Sequence, residues 1–238
     1  MKKTDESALF ALPPAPTVVV EGSDRRYPVH RIFCVGRNYA DHAAEMGVEV
    51  DREAPFYFLK QAGAIVPSGA TIPYPPGTRD FHHEMEFVVA LGAPAHRVTM
   101  AGAMDVVFGY ACGLDMTRRD LQLEARAKGR PWDLGKDFER SAVIAPILRK
   151  EAFGPIGPQR IDLRVDGVPR QGAKLSDLVW NVAELVSHLS RYYHLGPGDL
   201  IYTGTPAGVG PVGPGDHITG SIDGLPPIAL TIGDPESL

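Results

Sequence analysis

The chain has 238 residues, with 24 Lys and Arg against 29 Asp and Glu, a formal net charge of -5, and 26 Gly and 22 Pro. Gly and Pro fill about a fifth of the positions, against roughly 12% in an ordinary protein, while 44% of residues are still hydrophobic. That excludes a disordered Pro/Gly polymer and argues against a helical bundle, and the absence of a basic stripe argues against a nucleic-acid partner. No stretch nears the ~20 apolar residues of a membrane span. Lys2 and Lys3 precede only the short run Ala8 to Leu12, which prolines end, so no secretory signal is read. Cys34 and Cys112 are too few for a disulfide scaffold and read as buried free thiols in a reducing, cytoplasmic compartment.

Residues 1–30 read as an extended arm, with Leu12-Pro13-Pro14-Ala15-Pro16 extended by composition and Thr17 to Val20 able to form a strand. Residues 31–238 read as one domain. Ile32 to Val35 is a short buried strand. Gly36-Arg37-Asn38-Tyr39 leads into a helix from Ala40 to Met46, closed by Gly47. Phe56 to Leu59 is a strand, and Pro73 to Gly77 a proline-rich loop. Glu84 to Leu91 is the strongest strand of the first half, and a second, Val107 to Leu114, closes on Asp115. Thr117 to Lys128 is a helix, capped by Thr117 with Asp120 at the capping-box position and stopped by Gly129. Asp166-Gly167 marks a hairpin turn. Leu175 to Leu195 reads as one long helix, because Leu175, Leu178, Val182, Leu185 and Leu189 recur at helical spacing. Asp199 to Thr203 is a strand, a Gly/Pro loop runs to Asp216, and a second hairpin turns at Asp223-Gly224. Many strands, few helices and no regular βαβ alternation predict an α+β fold on a rolled, barrel-like mixed sheet with a few peripheral helices.

Two motifs fail on context. Gly208 to Gly213 matches G-x-G-x-x-G, but Pro211 and Pro214 remove amides and no helix begins there to receive a pyrophosphate. His82-His83-Glu84-Met85-Glu86 resembles H-E-x-x-H, but position 87 is Phe.

Glu84 and Glu86 are two apart in an apolar strand, so both point to one face. Carboxylates that close repel unless a cation or proton lies between them. Asp115 ends the next strand. Either this is a strand with one solvated face, or the three carboxylates hold a hard ion such as Mg²⁺ or Mn²⁺, which an all-oxygen ligand set favours. His42 and Glu45, three apart on a short helix, can touch and would suit a general base, or form an ordinary surface pair. Lys136 is unremarkable in isolation.

Taken in order, Val35-Gly36-Arg37-Asn38-Tyr39, His42 with Glu45, Phe58-Leu59-Lys60, His82-His83-Glu84-Met85-Glu86, Gly113-Leu114-Asp115-Met116-Thr117, Gly129-Arg130-Pro131-Trp132, Lys136, Thr203-Gly204-Thr205-Pro206 and Gly208-Val209-Gly210 resemble the fumarylacetoacetate hydrolase family. The likeness spans residues 31 to 224. It is strongest to the short single-domain acylpyruvate hydrolases, fumarylpyruvate hydrolases among them. The resemblance implies the fold of that family's C-terminal domain and a homodimer. It implies a divalent cation, Mg²⁺ or Mn²⁺, on Glu84, Glu86 and Asp115, a water-activating dyad in His42 and Glu45, and Lys136 beside the reacting oxygen. It places Arg37, Arg119, Gln122, Thr203, Gly204 and Thr205 on the substrate. The implied reaction is hydrolysis of the C–C bond of a 2,4-dioxo acid, with oxaloacetate decarboxylation or hydratase and isomerase chemistry on 2-oxo acids as alternatives. Gln61-Ala62 departs from the family, where proline often follows the lysine, and this bears on the identity of the substrate.

Overall fold

The computed structural model describes residues 9–236, except 11, 48–51 and 53. The fold is α+β, and its largest sheet is mixed and curls into a half-barrel. Its strands run Phe56–Lys60, Arg31–Gly36, Asp199–Tyr202, Met85–Leu91, Val107–Asp115, Ala142–Ile144 and Ile65–Pro67, with Leu148–Arg149 attached to Val107–Asp115. A five-stranded sheet packs against it in the order Val168–Lys174, Arg160–Val165, His217–Ile222, Ile228–Gly233, Ala70–Pro73. Residues 166 and 167 form the two-residue hairpin turn, with Asp166 at φ 50° and Gly167 at φ 77°, the left-handed geometry that Asp-Gly tolerates.

Side chains alternate across the large sheet. Phe33, Phe87 and Val89 face the five-stranded sheet and meet Ile161, Leu163, Ile218 and Leu230 in the main core. Ile32, Cys34, Val88, Ala90, Leu200 and Tyr202 face the other way. That second face is covered by the hairpin Thr17–Val19 and Arg26–Pro28 through Val18, Val20, Tyr27 and Val29. The Tyr27 hydroxyl ties it down, 2.8 Å from the Leu91 carbonyl and 2.9 Å from that of Asp199. Residues 1–8 of the expected arm lie outside the described residues. Cys34 and Cys112 are free and buried, and burial pushes the Cys112 thiol up to about 12.

Three elements differ from expectation. The long helix over Leu175 to Leu195 does not form: a 3-10 turn covers Leu175–Asp177 and the α-helix only Val182–Leu189. Asn38 holds the break open. Its backbone and side-chain oxygens accept from Val179 N (2.9 Å) and Trp180 N (2.7 Å), and its amide donates to Trp180 O at 2.9 Å. Asn181 then starts a new helix by a capping box with Glu184. The helix expected from Thr117 begins at Arg119, because Thr117–Arg118 pairs as a strand with Phe81–His83. The Thr117 hydroxyl donates to Asp115 O, and Asp120 accepts from Thr78 and the Arg79 N–H. Finally, the strand expected from Glu84 begins at Met85, leaving Glu84 between the short strand Phe81–His83 and Met85–Leu91 of the large sheet.

Among the described residues no helix is long and apolar enough to cross a membrane.

Candidate active site

The strand ends at one rim of the large sheet carry the acidic cluster. Glu86 is the second residue of Met85–Leu91, Asp115 closes the antiparallel neighbour Val107–Asp115, and the pairing of Met85 with Leu114 brings the two ends together. Glu84 sits one residue before the strand, on the same side as Glu86. One oxygen from each of Glu84, Glu86 and Asp115 lies within 4.8 Å of the others, and all three residues are buried.

Three cations meet these carboxylates. Lys136 Nζ donates to Glu84 Oε2 (2.8 Å), Asp115 Oδ2 (2.7 Å) and Thr117 Oγ1 (2.7 Å). Arg119 pairs with Glu84 and donates to Gln122 Oε1 at 2.5 Å. Lys60 Nζ lies 2.9 Å from Asp115 Oδ1, without hydrogen-bond alignment. Burial would push the Glu84 carboxyl up, but Lys136 and Arg119 pull it well below the usual carboxylate range. Among the described residues Glu86 has no cation of its own and accepts only the Gly204 N–H, at 2.8 Å. Burial, then Asp115 and Glu84, push its carboxyl well above the ordinary value. Burial would lower the Lys136 ammonium, but Asp115 and Glu84 outweigh it and hold it above the ordinary lysine value.

These residues fit a hard divalent ion. The donor set is three carboxylates, and Asp115 Oδ1 is a buried oxygen with no hydrogen bond, so it keeps a lone pair for a ligand.

The cleft above the cluster is lined by Gly36, Arg37, His42, Met46, Phe56, Phe58, Arg119, Gln122, Arg126, Trp132 and Thr205, besides Glu84, Glu86 and Lys136. His42 and Glu45 lie on the short helix Ala40–Glu45, with His42 Nδ1 3.2 Å from Glu45 Oε2. The Gly/Pro loop fixes this pair from behind. Gly208 N donates to both Glu45 oxygens, at 3.1 and 3.2 Å. Gly208 has φ +95°, and a Cβ there would lie 2.0 Å from Arg170 O, so the approach requires glycine.

The structure thus brings His42, Glu45, Lys136, Arg37, Arg119, Gln122, Thr205, Glu84, Glu86 and Asp115 to one cleft or its wall. Thr203 and Gly204 stand behind it. The Thr203 hydroxyl donates to Phe87 O, and Gly204 orients Glu86. Thr205 is held by the Gln171 amide, whose oxygen in turn accepts from Met85 N and lies 3.2 Å from His83 Nδ1. Sequence reasoning gave no role to Lys60, Arg126, Gln171 or the aromatic wall of Phe56, Phe58 and Trp132. Phe58, Lys60 and Trp132 had a signal, since they stand in segments that carry the family resemblance, and Lys60 is also a lone charge ending an apolar strand.

His83 gives the site a pH-dependent support. Burial lowers its imidazole from 6.5 to about 4. The unfolded chain therefore binds the extra proton between those values, so this stability is full above pH 6.5 and is lost as pH falls toward 4. It amounts to about 3 kcal/mol. Urea unfolding of wild type and His83→Gln should show the wild type losing roughly that much more between about pH 7 and pH 4.

A family profile described as Fumarylacetoacetate (FAA) hydrolase C-terminal matches residues 31–233. The fumarylpyruvate hydrolase of a Ralstonia species is 51% identical over 193 residues, covering 80% of this chain and 100% of that protein. The human mitochondrial oxaloacetate tautomerase FAHD1 is 42% identical over 205 residues, covering 86% of this chain and 92% of that protein. The crystal structure of fumarylpyruvate hydrolase from Pseudomonas aeruginosa in complex with Mn²⁺ and pyruvate aligns with TM-score 0.91 and 46% identity, over 95% of this chain and 99% of that one. With the carboxylate cluster, the dyad and the half-barrel sheet all in place, the chain belongs to the fumarylacetoacetate hydrolase family.

Proposed function

We propose that this protein is a divalent-cation-dependent hydrolase that cleaves fumarylpyruvate, a 2,4-dioxo acid, into fumarate and pyruvate. It would act in the cytoplasm, as a homodimer after the family pattern. The observation that carries the reading is the shared cleft, in which a His–Glu pair at 3.2 Å faces three buried carboxylates and a buried lysine. The likeness to fumarylpyruvate hydrolases supports it.

Glu84, Glu86 and Asp115 would hold Mg²⁺ or Mn²⁺, which when bound supplies Lewis acidity toward the carboxylate and 2-oxo oxygens of a pyruvyl group. His42, oriented by Glu45, takes a proton from a water molecule that attacks the C4 carbonyl. Lys136 donates to the oxyanion that develops there. All three of its donors are engaged by Glu84, Asp115 and Thr117, so it must release one to do so. The tetrahedral centre collapses, the C3–C4 bond breaks, and its electron pair leaves as the enolate of pyruvate. The proton taken from water ends on C3. The new carboxylic acid gives up the other water proton, so water and substrate are accounted for as one carboxylate, one pyruvate and one proton.

Arg37 and Arg126 suit the far carboxylate of the substrate. They face each other closely enough that burial, and then Arg126, lower the Arg37 guanidinium, and neither pairs with a carboxylate among the described residues. Arg37 is held against the Phe56 ring, 5.2 Å from its centroid, at φ 57°.

Pyruvate release from fumarylpyruvate, acetylpyruvate and oxaloacetate with Mg²⁺ tests the assignment. Fumarylpyruvate should be hydrolysed fastest, and preferred turnover of oxaloacetate would overturn the reading. Arg126→Ala should raise KM for fumarylpyruvate about tenfold, the worth of one charge-assisted hydrogen bond. It should leave acetylpyruvate, which lacks the far carboxylate, nearly unaffected.

A further inference from the structure

Lys60 is a buried cation at the site to which the reaction above gives no part. Its side chain is fully buried, and its ammonium has three oxygen neighbours: Asp115 Oδ1 at 2.9 Å, Met116 O at 3.2 Å and Lys136 O. All three are acceptors, and the Phe138 ring lies 5.3 Å from the nitrogen. An ammonium has three donors and no acceptor, which matches three acceptor neighbours. Lys60 (2% exposed), Lys136 (2%) and Arg119 (4%) therefore stand against Glu84 (4%), Glu86 (1%) and Asp115 (0%). With Glu86 ionised, as a ligand to an ion must be, three buried cations and three buried carboxylates balance to zero, and the charge of the ion itself is left over.

A divalent ion added to that set leaves two positive charges where solvent screens them poorly. We propose that Lys60 is a positioning residue that sets this balance through Asp115, so that the cluster holds a divalent ion weakly alone and tightly together with a ligand that brings two negative charges to its chelating end, as the pyruvate enolate does. The proposal rests on reading the carboxylate cluster as an ion site. The coupling is reciprocal: the dianion binds as much more tightly with the ion as the ion does with the dianion. It bears on the chemistry as well. The leaving pyruvate enolate carries a carboxylate and an enolate, two negative charges on the reacting end. The excess positive charge thus favours the state after bond cleavage over the ketone before it.

The test is a Mn²⁺ titration of ion-free protein, read by electron paramagnetic resonance, alone and with oxalate or oxamate. Oxalate carries two charges in the shape of the enolate's chelating end, and oxamate carries one in nearly the same shape. In wild type, oxalate should tighten Mn²⁺ about tenfold more than oxamate does, within the usual range of coupling free energies. Lys60→Met should bind Mn²⁺ alone about tenfold more tightly, and the advantage of oxalate should fall below about threefold. Lys60→Arg should restore the wild-type pattern.

A lysine that merely braces Asp115 predicts the opposite sign. Weaker or unchanged Mn²⁺ binding in Lys60→Met overturns the proposal. If Lys60→Met does not fold, Lys60→Gln keeps a donor for Met116 O and gives the same reading. Equal coupling for oxalate and oxamate in wild type overturns the proposal without any variant. No step of the titration needs turnover. A protein that shows the coupling but does not hydrolyse fumarylpyruvate refutes the reaction assignment and leaves this inference standing.

Discussion

Glu86→Ala is expected to abolish metal-dependent hydrolysis while leaving the ion-free protein at least as stable as wild type. Changing a group that merely supports a metal ligand costs about 10–100-fold, so losing a ligand itself should cost about a thousandfold or more in kcat/KM. The stability half of the expectation comes from the environment of Glu86. Among the described residues no cation pairs with it and its only hydrogen bond is from Gly204 N, and burial with two neighbouring carboxylates works against its charged form. Removing it relieves repulsion and leaves only the Gly204 N–H without its acceptor, which offsets part of the gain. Asp115→Ala differs. It leaves Lys60 and one donor of Lys136 without their carboxylate, and breaking a buried pair from one side costs about 3–5 kcal/mol. Thermal unfolding of both variants without divalent ions, beside pyruvate release with Mn²⁺, separates the two. Full hydrolysis by chelator-treated Glu86→Ala would remove the ion from the mechanism.

His42→Ala is expected to bind Mn²⁺ as wild type does and to lose turnover by about 10²–10⁴-fold, the usual share of a general base. The His42 ring lines the cleft and among the described residues has hydrogen-bond contact only with Glu45, so its loss breaks no hydrogen bond to the carboxylates. Glu45→Gln should fall between, because an amide keeps one acceptor for Gly208 N but no longer stabilises an imidazolium. Unchanged turnover in His42→Ala would take the dyad out of the account. A loss of Mn²⁺ binding would make His42 part of the ion site instead.

The acidic cluster was legible because strand periodicity speaks directly to faces. Glu84 and Glu86 alternate with Met85 and Phe87, and Asp115 ends the neighbouring apolar run. The helix pair His42–Glu45 was legible for the same local reason. What could not be read was set by contacts far along the chain. The apolar spacing over Leu175 to Leu195 is helical, but Asn38, 142 residues from Trp180, takes the backbone groups that a helix would have used. Lys60 is an ordinary charged strand end until Asp115 and the Lys136 carbonyl are placed around it. The Gly/Pro excess acquires a specific use at Gly208, whose approach to Glu45 no other residue could make.

The order of the strands in the large sheet also sets the order in which a site can exist during synthesis. Arg31–Gly36 pairs in parallel with Asp199–Tyr202, and the latter is the strand that joins it to Met85–Leu91. A nascent chain that has emerged as far as Lys136 already holds every carboxylate, lysine and histidine of the cleft. It still lacks the strand between the two halves of the sheet, the Gly204 N–H that aims Glu86 and the Gly208 N–H that steadies Glu45. Tyr27 likewise waits for Gly198 and Asp199 before its hydroxyl is satisfied. Contacts this distant in sequence form late, so ion-binding competence should appear only after the last third of the chain has left the ribosome.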